Sequence, residues 1–215
     1  MRLNVIIAAA LGALVGAAAI SVAAPELNLR GDRFRPLAYD ELNPAQKALA
    51  DRELASPSRS GGGPLNIYLR SPEFAELARP MSTYLRSKAP FPEKLKELAI
   101  MLTARAWGGT YVWYSHRPFA LKAGLSEALI TAMAQGVRPA NMAADEATVY
   151  DFATELLATR KVSDANYKAF VERFGERAVV DVVGLMGHYH TTSMLFAVER
   201  YPLPAGAKEE IARPM

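Results

Sequence analysis

The sequence predicts an all-α protein, and three observations support that prediction. Apolar residues recur every three or four positions through most of the chain, which is the period of a helix face. Glycine and proline separate these segments, and good N-cap residues precede several of them. No segment of useful length alternates apolar and polar residues as a half-buried strand does. The expected architecture is an oligomeric bundle of six to eight helices.

The first helix is expected to begin at Asn43-Pro44 and to run to about Leu54. Asparagine is a preferred N-cap, proline suits the first helical position, and Gln46 completes a capping box. Ser71 and Pro72 begin a later helix in the same way. In chain order, the remaining helical segments are expected at about 66–70, 71–88, 92–107, 111–123, 126–135, 143–160, 163–174 and 178–198.

The N-terminus has the pattern of a targeting segment. Arg2 precedes an apolar stretch, Val5–Ile20, and Ser21-Val22-Ala23 forms a small-x-small cleavage site. We therefore expect residues 1–23 to be a signal peptide and the mature protein to be periplasmic or otherwise exported. An uncleaved membrane anchor is the alternative, because the apolar run approaches spanning length. Its alanine and glycine content favours cleavage.

Three further segments follow the leader. Residues 24–42 are expected to be irregular, residues 43–205 to form one helical domain, and residues 206–215 to form a C-terminal tail. A chain of 215 residues is long enough for one domain of this kind to bury a substantial core.

Composition excludes several classes of function. The chain has no cysteine, which rules out disulfides, thiolate catalysis, cysteine-bound zinc and iron–sulfur clusters. The net charge is only +3, and no run of lysine and arginine is present. We therefore expect no nucleic-acid partner, and no membrane contact after the leader is removed.

His116 is the first candidate for chemistry. Val112, Phe119 or Ala120, and Ala123 share its predicted helix face, so the imidazole is expected to point inward. A histidine on an apolar face is a general acid or base in some proteins and a packing residue in many others. The pattern alone leaves both interpretations open.

Glu97 adds weight to the catalytic interpretation. It lies among apolar residues on the preceding helix, and Gly108-Gly109 joins that helix to the one with His116. Antiparallel helices joined by a short turn pack side by side, so the two side chains are able to meet. If they do, the carboxylate holds the imidazole tautomer and supports acid–base catalysis. Otherwise Glu97 pairs with Lys94 or Arg105 at the surface.

Two more histidines and two aromatic residues are candidates for substrate binding. His188 and His190 are two positions apart, so they point about 200° apart on a helix. We expect one to face the cavity and the other a neighbouring helix or subunit. A metal site made of all three histidines is an alternative, but the preferred interpretation has no metal and no cofactor. Tyr111 and Trp113 crowd the turn before His116, where they either shape the pocket or pack in the core.

Several segments together resemble the carboxymuconolactone decarboxylase-like family, whose superfamily includes the alkylhydroperoxidase D-like proteins. The resemblance covers roughly residues 33–205. It is carried by the segments 63–66, 69–72, 95–100, 107–116, 120–126, 149–153, 184–189 and 202–204.

The resemblance implies a fold, an assembly and two site residues. It implies an alkylhydroperoxidase D-like helical bundle that forms trimers or hexamers, with Glu97 and His116 at the positions of the family's glutamate and histidine. The cysteines of the peroxidase members fall on Gly109 and Val112, so thiol peroxidase chemistry is not available. Decarboxylase-like members have a glutamate immediately before the tryptophan, where this chain has Val112.

These observations predict a cofactor-free acid–base enzyme. A decarboxylase, a lactone isomerase or a carbon–carbon lyase fits, acting on a small carboxylated or aromatic-derived substrate with His116 as the proton shuttle. Two alternatives stay open: a non-catalytic binding or assembly protein on the same scaffold, and a histidine–metal enzyme. The apolar stretch 179–186 also predicts a homo-oligomer, because it is unusually hydrophobic for a solvent-facing helix.

Overall fold

The structure is a computed structural model that describes residues 24–55 and 63–211. The predicted signal peptide, residues 1–23, lies outside these residues. Within them the chain forms eight α-helices and no β-strand, which confirms the predicted fold class. The helices are α1 (Pro44–Ala55), α2 (Leu65–Tyr68), α3 (Pro72–Thr83), α4 (Glu93–Trp107), α5 (Thr110–Lys122), α6 (Glu127–Ala134), α7 (Ala144–Thr159) and α8 (Asp164–Glu199).

Helix α4 lies at the centre of the bundle. It packs against α5, α7 and α8, and every residue from Leu95 to Ala104 is buried. Three of these buried residues are polar: Lys96, Glu97 and Thr103. A polar group withdrawn from water is costly unless it finds a hydrogen-bond partner. The partners of Lys96 and Glu97 define the candidate site described below.

The predicted helix ends are largely confirmed. Asn43 and Gln46 form the expected capping box, with each backbone N–H donating to the other side chain at 2.9 Å. Ser126 caps α6 by accepting a hydrogen bond from the Leu129 amide. Gly108 ends α4 in the left-handed conformation, with φ at 62°, where glycine has no steric penalty. The local sequence therefore determines where these helices begin and end.

A five-residue π-helical turn, Tyr84–Lys88, continues α3. The sequence pattern predicts one uninterrupted helix over 71–88, and the structure differs in its last turn. Turns of this kind are rare and occur often at functional sites, because they displace a side chain from the regular helical positions.

Helix α8 replaces the two helices that the sequence predicts at 163–174 and 178–198. Gly175 has non-helical backbone angles and interrupts the helix at the predicted boundary. Beyond Gly175, the apolar stretch 179–186 has one buried face and one exposed face. Val182 and Leu185 are buried, whereas Val180 is 72% exposed and Val183 is 40% exposed. Among the described residues, no helix has the length and hydropathy needed to cross a bilayer.

Both ends of the described chain are attached to the helical domain. The completely buried Glu199 accepts hydrogen bonds from the backbone amides of Asp32 and Phe34, both at 2.8 Å. Near the other end, Glu210 accepts a hydrogen bond from the Trp113 indole at 3.0 Å. The predicted irregular segment, residues 24–42, and the described part of the predicted C-terminal tail thus make contacts with the domain.

We predict opposite effects on stability from two glycine-to-alanine substitutions. A Cβ at Gly31 would overlap the Phe34 carbonyl and the Glu199 carboxylate, so Gly31→Ala should lower the free energy of unfolding by about 1–3 kcal/mol. Gly187 is helical and has no atom near its Cβ position. Gly187→Ala should therefore raise that free energy by about 0.5–1 kcal/mol. Urea denaturation measures both, and equal effects would contradict the packing described for residues 31–34.

Candidate active site

Helices α4 and α5 bring Glu97 and His116 into direct contact. The two antiparallel helices are joined at Gly108-Gly109, as the sequence predicts. Glu97 Oε2 lies 2.7 Å from His116 Nδ1. Glu97 is 0% exposed and His116 is 7% exposed. The pair is therefore a hydrogen-bonded carboxylate and imidazole in the protein interior.

The buried face of α5 explains the orientation of His116. Val112 and Ala120 lie one turn before and one turn after it, and both are buried. Phe119, which the sequence predicts as an alternative to Ala120 on this face, is instead half-exposed. Its ring centroid lies 6.0 Å from that of His116, so a partly solvent-exposed ring neighbours the imidazole.

Tyr189 is a site residue that the sequence analysis does not identify. Its ring packs edge-on against His116, with 4.8 Å between centroids. Burial is the main cause that raises the pKa of Tyr189, so the phenol is neutral at physiological pH. The one signal for it in the sequence is its position between the two candidate histidines His188 and His190.

His188 and His190 lie in different environments, as their spacing predicts. His188 is buried, and its ring centroid lies 5.1 Å from that of Tyr189. Burial, and secondly the charge of Arg86, lower the pKa of His188. His190 packs against Trp107 at 4.4 Å and borders an open apolar groove of about 620 Å³ between α4, α7 and α8. The structure thus groups His188, but not His190, with the Glu97–His116 pair.

Tyr111 and Trp113 are held by contacts away from His116. The Tyr111 ring packs against Phe196 and Tyr201, and its hydroxyl accepts a hydrogen bond from the Gly63 amide at 2.9 Å. Trp113 is buried and donates to Glu210. These contacts are those of packing residues. A role in substrate binding stays a prediction for both.

Arg86 is the second residue that the sequence analysis does not identify. It lies in the π-helical turn, and its guanidinium carbon is 5.8 Å from the centroid of Phe119. The buried Lys96 donates a hydrogen bond to the Arg86 carbonyl at 3.0 Å. A single arginine on the surface of a helix forms no sequence pattern, so the sequence does not indicate that Arg86 lies near His116.

Two buried polar atoms of this region have no hydrogen-bond partner among the described residues: Glu97 Oε1 and Arg86 Nε. Most buried polar atoms in proteins are paired, because an unpaired one costs about 1–3 kcal/mol. Unpaired atoms of oppositely charged side chains in this region indicate a site arranged for something other than stability alone.

Gly109 and Val112 are the positions where the resemblance aligns the cysteines of peroxidase members. A Cβ at Gly109 would lie 2.7 Å from Ser193 Oγ, so α8 occupies the space that a side chain there would need. Val112 is buried in the core. Helix α8 therefore closes the first position, and an apolar side chain fills the second.

The histidines do not assemble into a metal site. Among the described residues, no group of three or more histidine, cysteine, aspartate or glutamate side chains is arranged to hold a metal ion. The aromatic residues Tyr189 and Trp107 contact the histidines instead. The three-histidine alternative therefore finds no ligand set in this part of the chain.

The arrangement is suited to proton transfer. When Nδ1 of a neutral imidazole donates to a carboxylate, the lone pair of Nε2 is available to accept a proton from another molecule. A fixed carboxylate then stabilises the imidazolium that forms. The neutral Tyr189 and His188 add hydrogen-bonding groups without adding charge.

We predict that His188 makes the protein less stable in mild acid. Its pKa is lowered in the folded state, so the unfolded chain binds the proton more tightly, and stability falls as the pH drops below about 6.5. His188→Gln should reduce the loss of unfolding free energy between about pH 7 and pH 5. His190→Gln, at a half-buried position, is the matched control and should change this loss less. An unchanged pH dependence in His188→Gln would contradict the assignment.

Comparison with known proteins gives a structural relative. No protein-family model and no curated protein matches the chain. A crystal structure of a protein of unknown function from Agrobacterium tumefaciens, described provisionally as the antioxidant defence protein AhpD, is similar with a TM-score of 0.57. The two are 16% identical, and the match covers 64% of this chain and 97% of the other. At this identity the likeness concerns the fold: the chain has an AhpD-like helical fold.

Proposed function

We propose that the protein is a cofactor-free enzyme that moves a proton on a small organic substrate through His116. The observation that carries this proposal is the buried 2.7 Å contact between His116 Nδ1 and Glu97 Oε2. A charged or chargeable pair in the centre of a bundle does not improve stability over well-packed apolar residues. Its presence on the central helix α4 is therefore better explained by chemistry.

His116 acts as the general base and then as the general acid. Its Nε2 takes a proton from the substrate while Glu97 stabilises the imidazolium, and it returns the proton to another atom. A positioned acid–base residue contributes about 10²–10⁴-fold to a rate. Decarboxylation, lactone isomerisation and retro-aldol cleavage each require such a transfer next to a carbonyl group.

The surroundings favour a small substrate with a flat or aromatic part. Tyr189 packs edge-on against the imidazole, and the half-exposed Phe119 ring lies 6.0 Å from it. Flat rings pack well against such aromatic faces. The substrate class that we propose is a carboxylated or aromatic-derived small molecule.

Antioxidant defence through a thiol is not part of the proposal. The structural relative is described provisionally as an antioxidant defence protein, but this chain contains no cysteine and therefore no thiolate to reduce a peroxide. Purified metal-free and haem-free protein should show no thiol-dependent consumption of hydrogen peroxide or organic peroxides.

We predict unequal losses of activity from substitutions in the pair. With a substrate found by screening lactones and aromatic acids, His116→Gln should lower the rate by about 10²–10⁴-fold, because no residue replaces the base. Glu97→Gln should lower it less, by about tenfold, because an amide still orients the ring but does not stabilise its charge as a carboxylate does. Substrate turnover and deuterium incorporation from heavy water measure both effects.

His190→Gln provides the control for this experiment, because His190 faces the groove beside Trp107. It should retain the wild-type rate. Thermal unfolding of each variant separates a folding defect from a catalytic one. Wild-type turnover per folded molecule in His116→Gln, or robust thiol-dependent peroxidase activity in the wild type, would overturn the proposed function.

We also propose that the protein is a homo-oligomer, a trimer or a hexamer. The exposed apolar face of α8 supports this. Val180, Val183, Gly187, Met194 and Val198 recur along it at intervals of three, four or seven residues, which keeps them on one side of the helix. Contiguous apolar surface of this kind is typical of interfaces between proteins. The open groove beside His190 adjoins the same face through Val183 and Gly187.

We predict that Val183→Glu disrupts the oligomer, because it places a charge where apolar surface is covered. Light scattering at micromolar concentration should show a smaller particle than for the wild type. Val137→Glu is the matched control, since Val137 is exposed outside this face, and it should leave the mass unchanged. A wild-type protein that is monomeric would contradict the proposal.

A further inference from the structure

We propose that Arg86 binds the anionic group, a carboxylate, of the substrate on which His116 acts. This inference rests on the proposed function and assigns the residue that selects its substrate class. Four observations carry it: the position of Arg86, the support of its backbone, the absence of a counter-ion for it among the described residues, and the shared contact with Phe119.

The π-helical turn Tyr84–Lys88 and the central helix together fix the position of Arg86. Lys96 lies next to Glu97 on α4, and its buried ammonium group donates to the Arg86 carbonyl at 3.0 Å. The same helix thus holds both the carboxylate of the catalytic pair and the backbone that bears the arginine. A binding group on such a rigid support is held ready for its ligand.

The guanidinium of Arg86 has no carboxylate partner within 4.0 Å among the described residues, and its Nε is buried without a hydrogen bond. Other arginines of the chain form ion pairs, such as Arg35 with Glu41, Arg117 with Glu127 and Arg138 with Asp151. The Lys96 ammonium group lies 3.8 Å from a Glu93 carboxylate oxygen. A guanidinium presents a planar fork of donors that matches a carboxylate, so an unpaired one beside a reactive histidine is suited to an anionic ligand.

Phe119 places the arginine and the histidine at one location. The Arg86 guanidinium carbon lies 5.8 Å from the Phe119 ring centroid, and the His116 ring lies 6.0 Å from the same centroid. The Phe119 ring is half-exposed, so the residue that both side chains approach borders solvent. The charge of Arg86 also helps to lower the pKa of His188.

The arrangement specifies the kind of substrate. Its carboxylate pairs with the guanidinium, its flat or apolar part lies against Phe119, and its reacting carbon lies at His116. The positive charge also stabilises the negative charge that develops on a carbonyl oxygen when a proton is removed beside it. Short carboxylic acids fit this description, and their neutral esters or amides do not.

Ligand binding to histidine-labelled protein tests the inference without a known substrate. The chain has only three histidines, so each gives a resolved NMR signal. Benzoate is the probe, and benzamide is its neutral counterpart. Benzoate should shift the signals of His116 and His188 and leave that of His190 unchanged. In Arg86→Gln the affinity for benzoate should fall by about 10- to 100-fold. The affinity of Arg86→Lys should lie between those of the wild type and Arg86→Gln.

Arg138→Gln is the matched control, because it removes the same charge from an exposed ion pair distant in sequence, and it should bind benzoate as the wild type does. Arg86→Gln should also raise the pKa of His188, which an NMR pH titration measures even if the variant is less stable. Equal benzoate affinity in Arg86→Gln and the wild type, no benzoate binding to the wild type, or equal binding of benzamide would each overturn the inference.

The binding test is separate from the test of catalysis. His116→Gln keeps Arg86, so it should bind benzoate, as followed at His188, while losing turnover. Benzoate binding that depends on Arg86 in a protein without any proton-transfer activity would refute the proposed function and retain the anion site. Turnover that depends on His116 but not on Arg86 would support the proposed function and refute the anion site at Arg86.

Discussion

The burial of α4 is the constraint on which the rest of the structure depends. A helix covered on all sides offers no water to its polar side chains, so each must find a partner within the protein. Glu97 does so with His116, which fixes how α5 packs against α4. Lys96 does so with the Arg86 carbonyl, which fixes the π-helical turn after α3. Two adjacent residues of one helix thereby position both sides of the candidate site.

The parts of the fold that depend on local chemistry could be predicted from the sequence. The capping box at Asn43 and Gln46, the cap at Ser126 and the break at Gly175 all appear where the sequence places them. Each of these features involves only a few neighbouring residues. The same holds for the opposite directions of His188 and His190, which follow from helical geometry alone.

The sequence makes the contact between Glu97 and His116 possible without determining it, because the contact depends on how far two helices slide along each other. Arg86 and Tyr189 could not be found at all. Arg86 reaches the site through a π-helical turn that displaces it from the regular pattern, and Tyr189 resembles any core tyrosine until its neighbours are known. Tyr111 and Trp113 are candidates in the sequence because aromatic residues crowd that turn. In the structure they pack and form hydrogen bonds with the Gly63 amide and the Glu210 carboxylate.

Helix α8 carries His188 and Tyr189 toward the Glu97–His116 pair. The same helix carries His190, Val183 and Gly187 toward the open groove. One rigid element therefore borders two surfaces, and no separate pathway is needed to connect them. If a neighbouring subunit packs on the groove side and favours a small rotation of α8, that rotation also moves Tyr189 against the His116 ring. By thermodynamic reciprocity, a ligand that prefers one rotation of α8 would change the affinity between subunits by the same factor by which association changes ligand affinity.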